Sequence, residues 1–273
     1  MRLSIISDEI SRDPLTAAEI AAGWGLKHLE LRSYYGTRAP RGMSDADITA
    51  VAKAADGFGL DVPSISPGLF KLTINDPAID DHRGDLGVRC LEMAEMLGAR
   101  VMVVFPYIRT DREEPESEWP AEMVADFQRT ADLAAERGIT VAVENEPICY
   151  AATGQSLARL LDEIDRPNCG ANWDPANHFV YRPEDFRAGY QALGERIVHV
   201  HVKDHAVDAR GGRRTVPAGE GAVDWPGQVR ALLDDGYGGL MVVETHFGPK
   251  VAGSEAATRA LLALLDEAGE TIT

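Results

Sequence analysis

Short apolar runs recur along the chain at roughly regular intervals. Eight of them have the length and composition of strands that are buried on both faces, as in a parallel sheet. These runs are Leu3–Ile6, His28–Leu31, Leu60–Ile65, Val101–Phe105, Ile139–Val143, Cys169–Trp173, Ile197–Val202 and Leu240–Val243. We therefore predict eight strands.

The segments between these runs have helical spacing. Thr16, Ser44 and Ser117 stand before three of them as candidate helix starts, because short polar side chains cap free backbone N–H groups. Glycines also follow helical runs, where a left-handed residue is needed before the next strand begins. These glycines are Gly25, Gly59, Gly98 and Gly138. Each predicted strand is thus followed by a helix.

This alternation predicts an α/β fold of one domain covering residues 1–273, a closed (β/α)₈ TIM barrel. We find neither a linker nor a sequence repeat that would divide the chain. An open doubly wound sheet would normally carry a glycine-rich phosphate turn after an early strand, but the first strand here runs into Ser7–Ser11. In a barrel of this kind, the active site lies at the carboxyl ends of the strands.

Acidic residues follow three of the predicted strands directly. Glu144 comes after the fifth strand, Asp174 after the sixth and Glu244 after the eighth. A carboxylate in this position must reach the mouth of the barrel, because burial without a partner is unfavourable. We expect the three carboxylates to converge on one rim.

The seventh strand contributes bases to the same face. Period-two alternation places His199, His201 and Lys203 together, with the intervening valines facing the helices. Converging carboxylates raise one another's pKa unless a cation neutralises them. Oxygen ligands with one imidazole suit Mn²⁺, Mg²⁺ or Co²⁺, so we predict one divalent metal ion.

Composition excludes several other functions. The 273 residues are 45% hydrophobic and 26% charged, which is typical of a globular protein. With 27 basic and 44 acidic residues, the net charge of -17 disfavours nucleic-acid and membrane partners. Three cysteines without CxxC spacing argue against a disulfide scaffold or a thiolate zinc site. Acidic residues appear too early at the N-terminus for a signal peptide, so we expect a cytoplasmic protein.

The strand-end motifs also carry a family resemblance. VENEP around Glu144, NWDPANH around Asp174, HVHVKD around His201, GEGAVDW at 219–225 and VVETH around Glu244 resemble the xylose-isomerase-like TIM barrels, the sugar phosphate isomerase and epimerase superfamily. The resemblance implies Glu144, Asp174, His201 and Glu244 as ligands of one divalent metal, with Zn²⁺ also possible. It further implies Glu144 and Glu244 as the catalytic acid/base pair.

The activity implied by this resemblance is isomerisation or epimerisation of a small sugar or cyclic polyol ketone. Two glutamates would move protons through a metal-stabilised enediolate. The alternative is an inosose- or dehydroshikimate-type dehydratase on the same site, followed by an abasic-site endonuclease or a non-catalytic sugar-binding barrel. The usual ketose 3-epimerases have a His three residues after the Asp ligand, where this chain has Asn177. A homo-oligomer is compatible with the sequence.

Further side chains near the strand ends are candidates for substrate binding. They are Glu30, Glu146, Asn177, His178, His199, Lys203 and His246. His199 is equally suited to orienting a ligand or to a hydrogen-bonded place in the core. Lys203 beside three carboxylates should stay protonated, which disfavours a Schiff base. Trp173 should face outward into the core.

Three loops complete the predicted mouth. Ser66–Leu72 after the third strand and Tyr107–Trp119 after the fourth are long enough to serve as lids with apolar tips. Arg210–Arg214 after the seventh strand is locally basic in an acidic chain, and is expected to be either a solvated turn or a contact for a substrate phosphate or carboxylate.

Overall fold

The computed structural model describes residues 1–110, 118–183 and 186–269, and within them eight parallel strands close into a barrel. The strands are β1 (Arg2–Ile6), β2 (His28–Leu31), β3 (Asp61–Leu69), β4 (Val101–Val104), β5 (Thr140–Glu144), β6 (Cys169–Trp173), β7 (Ile197–Val202) and β8 (Leu240–Val243). Each pairs with its neighbours in chain order, and β1 also pairs with β8. The predicted (β/α)₈ barrel is confirmed.

Closure of the barrel depends on β1, which has a parallel partner on each edge. Ser4 lies opposite Val242 of β8 on one side and His28 of β2 on the other. The closed sheet leaves no strand edge unpaired, and surrounding helices cover its outer face. This explains why the strands are nearly continuous apolar runs.

Helices follow the strands around the outside of the barrel. They are α1 (Pro14–Gly23), α2 (Asp45–Gly57), α3 (Ile79–Arg83), α4 (Asp85–Leu97), α5 (Ala121–Ala135), α6 (Gly154–Ile164), α7 (Pro175–Phe179), α8 (Phe186–Leu193), α9 (Trp225–Asp234) and α10 (Lys250–Glu267). Two short hairpins interrupt this pattern, one at 33–38 and one at 204–216 between β7 and α9. Across the described residues, no helix is long and apolar enough to span a bilayer.

The predicted helix starts have different outcomes. Ser44 begins α2 with a capping box that includes Asp47, as predicted. Thr16 is wrong as a start, because α1 begins at Pro14 and the Asp13 side chain accepts from the backbone N–H of Leu15 at 3.1 Å. Ser117 lies outside the described residues. The four predicted glycine stops have φ values of 87°, 73°, 74° and 63°, which confirms their left-handed conformation.

The expected lid at Ser66–Leu72 is wrong for most of its length. β3 continues to Leu69, which pairs with Val104 of β4. The next residue, Phe70, is fully buried with its ring 5.6 Å from that of Phe127. Burial of the Phe70 ring against α5 therefore stabilises the fold more than its exposure at the mouth would.

In the second expected lid, Tyr107–Trp119, the described part begins in the core. Tyr107 is buried and donates to Asp126 at 2.7 Å, while residues 111–117 lie outside the described part of the chain. Trp173 packs outside the barrel as predicted, donating from Nε1 to Gln228 Oε1 at 3.0 Å.

Candidate active site at the carboxyl ends of the strands

Four buried side chains from consecutive strands meet inside the mouth of the barrel. Glu144 ends β5, Asp174 follows β6, His201 lies in β7 and Glu244 follows β8. Each contributes one ligand-type atom, and these atoms lie within 4.8 Å of one another. The structure thus brings together all four residues that the resemblance implies as metal ligands; we call them the carboxylate–histidine cluster.

The imidazole of His201 is held from both sides. Its Nδ1 lies 3.1 Å from Glu144 Oε2 and 3.0 Å from Glu244 Oε2. Its Nε2 lies 3.0 Å from Glu30 Oε1. When Nε2 donates to Glu30, the lone pair of Nδ1 points at the cluster, which is the tautomer that a metal ligand needs.

Glu30 lies behind His201 in the barrel interior and makes three contacts. Its other oxygen, Oε2, accepts from Ser64 Oγ at 2.7 Å and lies 2.8 Å from His199 Nε2. Burial opposes its charge, but the two histidines outweigh that effect and hold the pKa of Glu30 well below its usual range. Glu30 and His199 therefore support the ring of His201 from below.

Lys203 lies directly among the carboxylates. Its Nζ is 2.7 Å from Asp174 Oδ2, 2.8 Å from Glu244 Oε2 and 3.3 Å from Glu144 Oε1. Burial lowers the pKa of Lys203, but the three carboxylates raise it well above its usual value. The amine is consequently protonated at neutral pH, which argues against a Schiff-base nucleophile.

The carboxylates differ in their proton affinity. Burial opposes the charge of Glu144, yet Lys203 and His201 lower its pKa to about 2. Burial raises the pKa of Asp174 to about 6, against the attraction of Lys203.

The donor set fits a divalent metal ion. Three buried ligand-type atoms are held by ion-pair contacts that lack hydrogen-bond geometry: His201 Nδ1 by Glu144 and Glu244, and Asp174 Oδ2 and Glu244 Oε2 by Lys203. Buried polar atoms without well-formed hydrogen bonds are unusual, and the residues that carry these three all belong to the same cluster. Three carboxylates and one imidazole match the preferences of Mn²⁺, Mg²⁺, Co²⁺ or Zn²⁺.

Amide side chains hold Glu144 and Asp174 in place. Asn172 and Asn177 each donate from Nδ2 to Glu144 at 3.0 Å. Asn145 accepts from the backbone N–H of Asp174 and donates to its carbonyl, both at 2.8 Å. Asn177 thus contacts Glu144, one of the predicted acid/base residues.

An arginine that the sequence reasoning missed holds Glu244. The buried guanidinium of Arg32 contacts Glu244 Oε1 at 2.5 Å, Glu9 Oε1 at 2.5 Å and Asp8 Oδ1 at 2.7 Å. His246 Nε2 lies 2.8 Å from the same oxygen of Glu244. A signal was present in the sequence, because Arg32 follows Glu30 by two residues and alternation places both on one face.

The other predicted substrate-binding residues differ in position. Glu146 lies at the rim, paired with Lys71 at 2.5 Å. His246 is also at the rim, with 48% of its side chain exposed. His178 lies outside the cluster, because its Nδ1 accepts from the backbone N–H of Gly154 at 3.2 Å and its ring packs 5.2 Å from that of Trp173.

Two further sequence features have structural explanations. Within 219–225, the backbone N–H groups of Gly219, Gly221 and Val223 donate to the carboxylate of Asp204 at 3.0–3.1 Å. This motif thereby anchors the loop that follows β7.

The basic segment at 210–214 forms the exposed turn and first strand residues of the 204–216 hairpin, in agreement with the solvated-turn expectation.

Known proteins that are similar in sequence to this chain include enzymes of two kinds. The chain is 28% identical over 183 residues to an inosose dehydratase of Geobacillus thermodenitrificans, a match covering 57% of this chain and 60% of that enzyme. It is 27% identical over 214 residues to a ketose 3-epimerase of Arthrobacter globiformis, covering 76% and 71% of the two chains. The comparisons support an enzyme, and they favour the dehydratase alternative over the isomerase or epimerase expectation.

A solved structure of the IOLI protein with a bound zinc atom shares the fold. It superposes with a TM-score of 0.77 at 16% identity, covering 98% of this chain and 99% of that one. The model of the xylose isomerase-like TIM barrel family matches residues 18–268. The chain therefore belongs to the xylose isomerase-like TIM barrel family.

Proposed function

We propose that the protein is a divalent-metal-dependent dehydratase that eliminates water from a small polyol ketone. The observation that carries this proposal is the convergence of Glu144, Asp174, His201 and Glu244 within 4.8 Å. The similarity to inosose dehydratases supports elimination as the reaction and a cyclic polyol ketone as the substrate class.

Glu144 is the proposed base. Its low pKa keeps it ionised at neutral pH, and Asn172 and Asn177 fix its orientation at 3.0 Å each. A fixed carboxylate beside a ketone can remove the proton from the adjacent carbon. When bound, the metal ion would polarise the substrate carbonyl and make that proton more acidic.

His246 is the proposed proton donor and Glu244 orients it, because Lys203 and His201 outweigh burial and hold the pKa of Glu244 well below its usual range. Glu244 and Glu144 both contact His201 Nδ1, and Glu244 Oε1 is 2.8 Å from Nε2 of His246. His246 is half exposed at the rim. In the elimination, the C–H electron pair forms the new double bond, the neighbouring C–O bond breaks, and His246 protonates the departing hydroxide to give water.

Mass spectrometry of the product tests this function. We expect the metal-loaded protein to convert an inosose to a product lighter by one water, and Glu144→Gln and Glu244→Gln to slow turnover by at least about 100-fold. Glu95→Gln is the matched control, because Glu95 is an exposed residue paired with Arg137. Full activity in either site variant would refute the assignment of that glutamate.

Epimerisation is the second candidate, because the two glutamates both lie within 3.1 Å of His201 Nδ1 and one relative is a ketose 3-epimerase. This reaction leaves the substrate mass unchanged in ordinary water and adds deuterium in deuterated water. Deuterium incorporation into a ketose without loss of water would favour the epimerase over the dehydratase.

A further inference from the structure

A cavity of about 330 Å³ lies at the carboxyl end of β3, and the charged side chains of its wall are all basic. Arg38, Arg41, Lys71 and His82 line it together with apolar residues and a glycine, and no acidic residue is among the described residues of its wall. Two of these cations have acidic partners beyond the wall: Arg41 Nη1 pairs with Asp81 at 2.9 Å, and Lys71 Nζ pairs with Glu146 at 2.5 Å. Arg38 therefore contributes most to the positive potential that would attract an anion into the cavity. We call this cavity the basic rim pocket.

Arg38 is the least neutralised cation of the pocket. Its Nη1 donates to the backbone carbonyl of Ser66 at 3.2 Å, and among the described residues no carboxylate lies within ion-pair distance of it. Burial and the charge of Arg32 lower the pKa of Arg38 despite the attraction of nearby carboxylates. Since a guanidinium has five N–H donors, most of its hydrogen-bonding capacity remains for a ligand.

Two further donors face each other across the pocket. The backbone N–H of Phe70 donates to His82 Nδ1 at 2.9 Å, so the ring hydrogen of neutral His82 lies on Nε2. Nη2 of Arg41 lies 3.3 Å from that same Nε2, which sets one N–H group against another. An oxygen of an anion would accept from both groups and remove this conflict.

The pocket is connected to the proposed catalytic residues. Lys71 pairs with Glu146 at 2.5 Å, and Glu146 follows Glu144 by two residues. Arg38 also donates to the carbonyl of Ser66 in β3, two residues after Ser64, which donates to Glu30 behind His201. The pocket and the cluster thus share the mouth of the barrel.

We propose that the basic rim pocket binds the anionic group of the substrate, a carboxylate or phosphate carried by the polyol ketone. This inference rests on the proposed function and narrows it, because an inosose carries no charge. Arg38 makes the principal contact, and Arg41 and His82 supply the second pair of donors. An anionic polyol ketone should therefore bind more tightly than a neutral inosose, with its carbonyl end at the carboxylate–histidine cluster.

Anion binding tests the pocket independently of turnover. The test is a calorimetric titration of the magnesium-saturated protein with sulfate and with acetate, carried out on the wild type, Arg38→Gln and the control Arg210→Gln. The control removes the same charge from the exposed turn of the 204–216 hairpin. Loss of one charge-assisted contact should weaken binding at least about tenfold in Arg38→Gln only. Equal affinity for both anions in the wild type and Arg38→Gln, with unchanged circular dichroism, would overturn the proposal.

Turnover measurements distinguish a failure of the pocket proposal from a failure of the dehydratase proposal. With neutral, carboxylated and phosphorylated polyol ketones, we expect the anionic compounds to have the lower KM, and Arg38→Gln to raise that KM with little change in kcat. If the protein eliminates water only from the neutral ketone, and Arg38→Gln does not change this activity, the proposal for the pocket is overturned and the dehydratase proposal stands. Sulfate binding that depends on Arg38, without turnover of any ketone, would support the pocket and contradict the dehydratase.

Discussion

Replacing Arg32 by Gln tests the electrostatic support of Glu244. The guanidinium is 4% exposed and pairs with three carboxylates, of which Glu9 is fully buried and Glu244 is 9% exposed. Removing one partner of a buried ion pair costs about 3–5 kcal/mol, because the other charge stays buried without compensation. Domain stabilities are only about 5–15 kcal/mol, so Arg32→Gln should remove a large part of the total.

Urea denaturation at pH 7 measures this loss. The control is Arg259→Gln on α10, whose side chain is 69% exposed and pairs with Glu255, and it should change the free energy of unfolding by less than about 0.5 kcal/mol. A loss below about 1 kcal/mol in Arg32→Gln would refute the reasoning.

The pH dependence of this loss has a defined sign. Burial opposes the charge of Asp8, but Arg32 outweighs it and lowers the pKa of Asp8 below 3.8. A carboxylate with a lowered pKa stabilises the fold above its unfolded pKa, and this contribution disappears as pH falls through the folded value. The difference between the wild type and Arg32→Gln should therefore shrink below about pH 4.

Three other perturbations have defined outcomes. Glu30→Gln should weaken Mn²⁺ binding about 10–100-fold in a calorimetric titration, because it loosens the ring of His201; unchanged affinity would contradict that role. Burial raises the pKa of Cys90 to about 12, so a thiol reagent at pH 8 should label this residue only on unfolding, and rapid labelling of Cys90 in the native protein would contradict its burial. Ser44→Ala should lower the free energy of unfolding by about 1 kcal/mol in urea, and no loss would refute the cap.

The barrel was predictable because its signals are local. Each strand is a short apolar run, and glycines such as Gly98 mark the ends of helices by a conformation that other residues disfavour. The boundaries were less certain where tertiary contacts decide them. β3 extends to Leu69 because Val104 pairs with it and Phe70 packs against α5, and neither contact is visible in the local pattern.

The site was predictable at the strand ends and less so around them. Glu144, Asp174 and Glu244 each follow an apolar run directly, which places them at the mouth. His178 looked similar in sequence, but the turn of α7 directs it toward the backbone of Gly154. The support that Arg32 gives to Glu244 depends on closure of the barrel, since these residues are 212 positions apart.

Calorimetric titration with Mn²⁺ tests the central claim that the cluster binds one catalytic ion. We predict that the wild type binds one ion per chain. Asp174→Asn and His201→Ala should each bind it at least about 100-fold more weakly, because each removes a principal ligand. His205→Ala is the control, because His205 lies outside the cluster. Binding in both cluster variants with the affinity of the wild type would contradict the account.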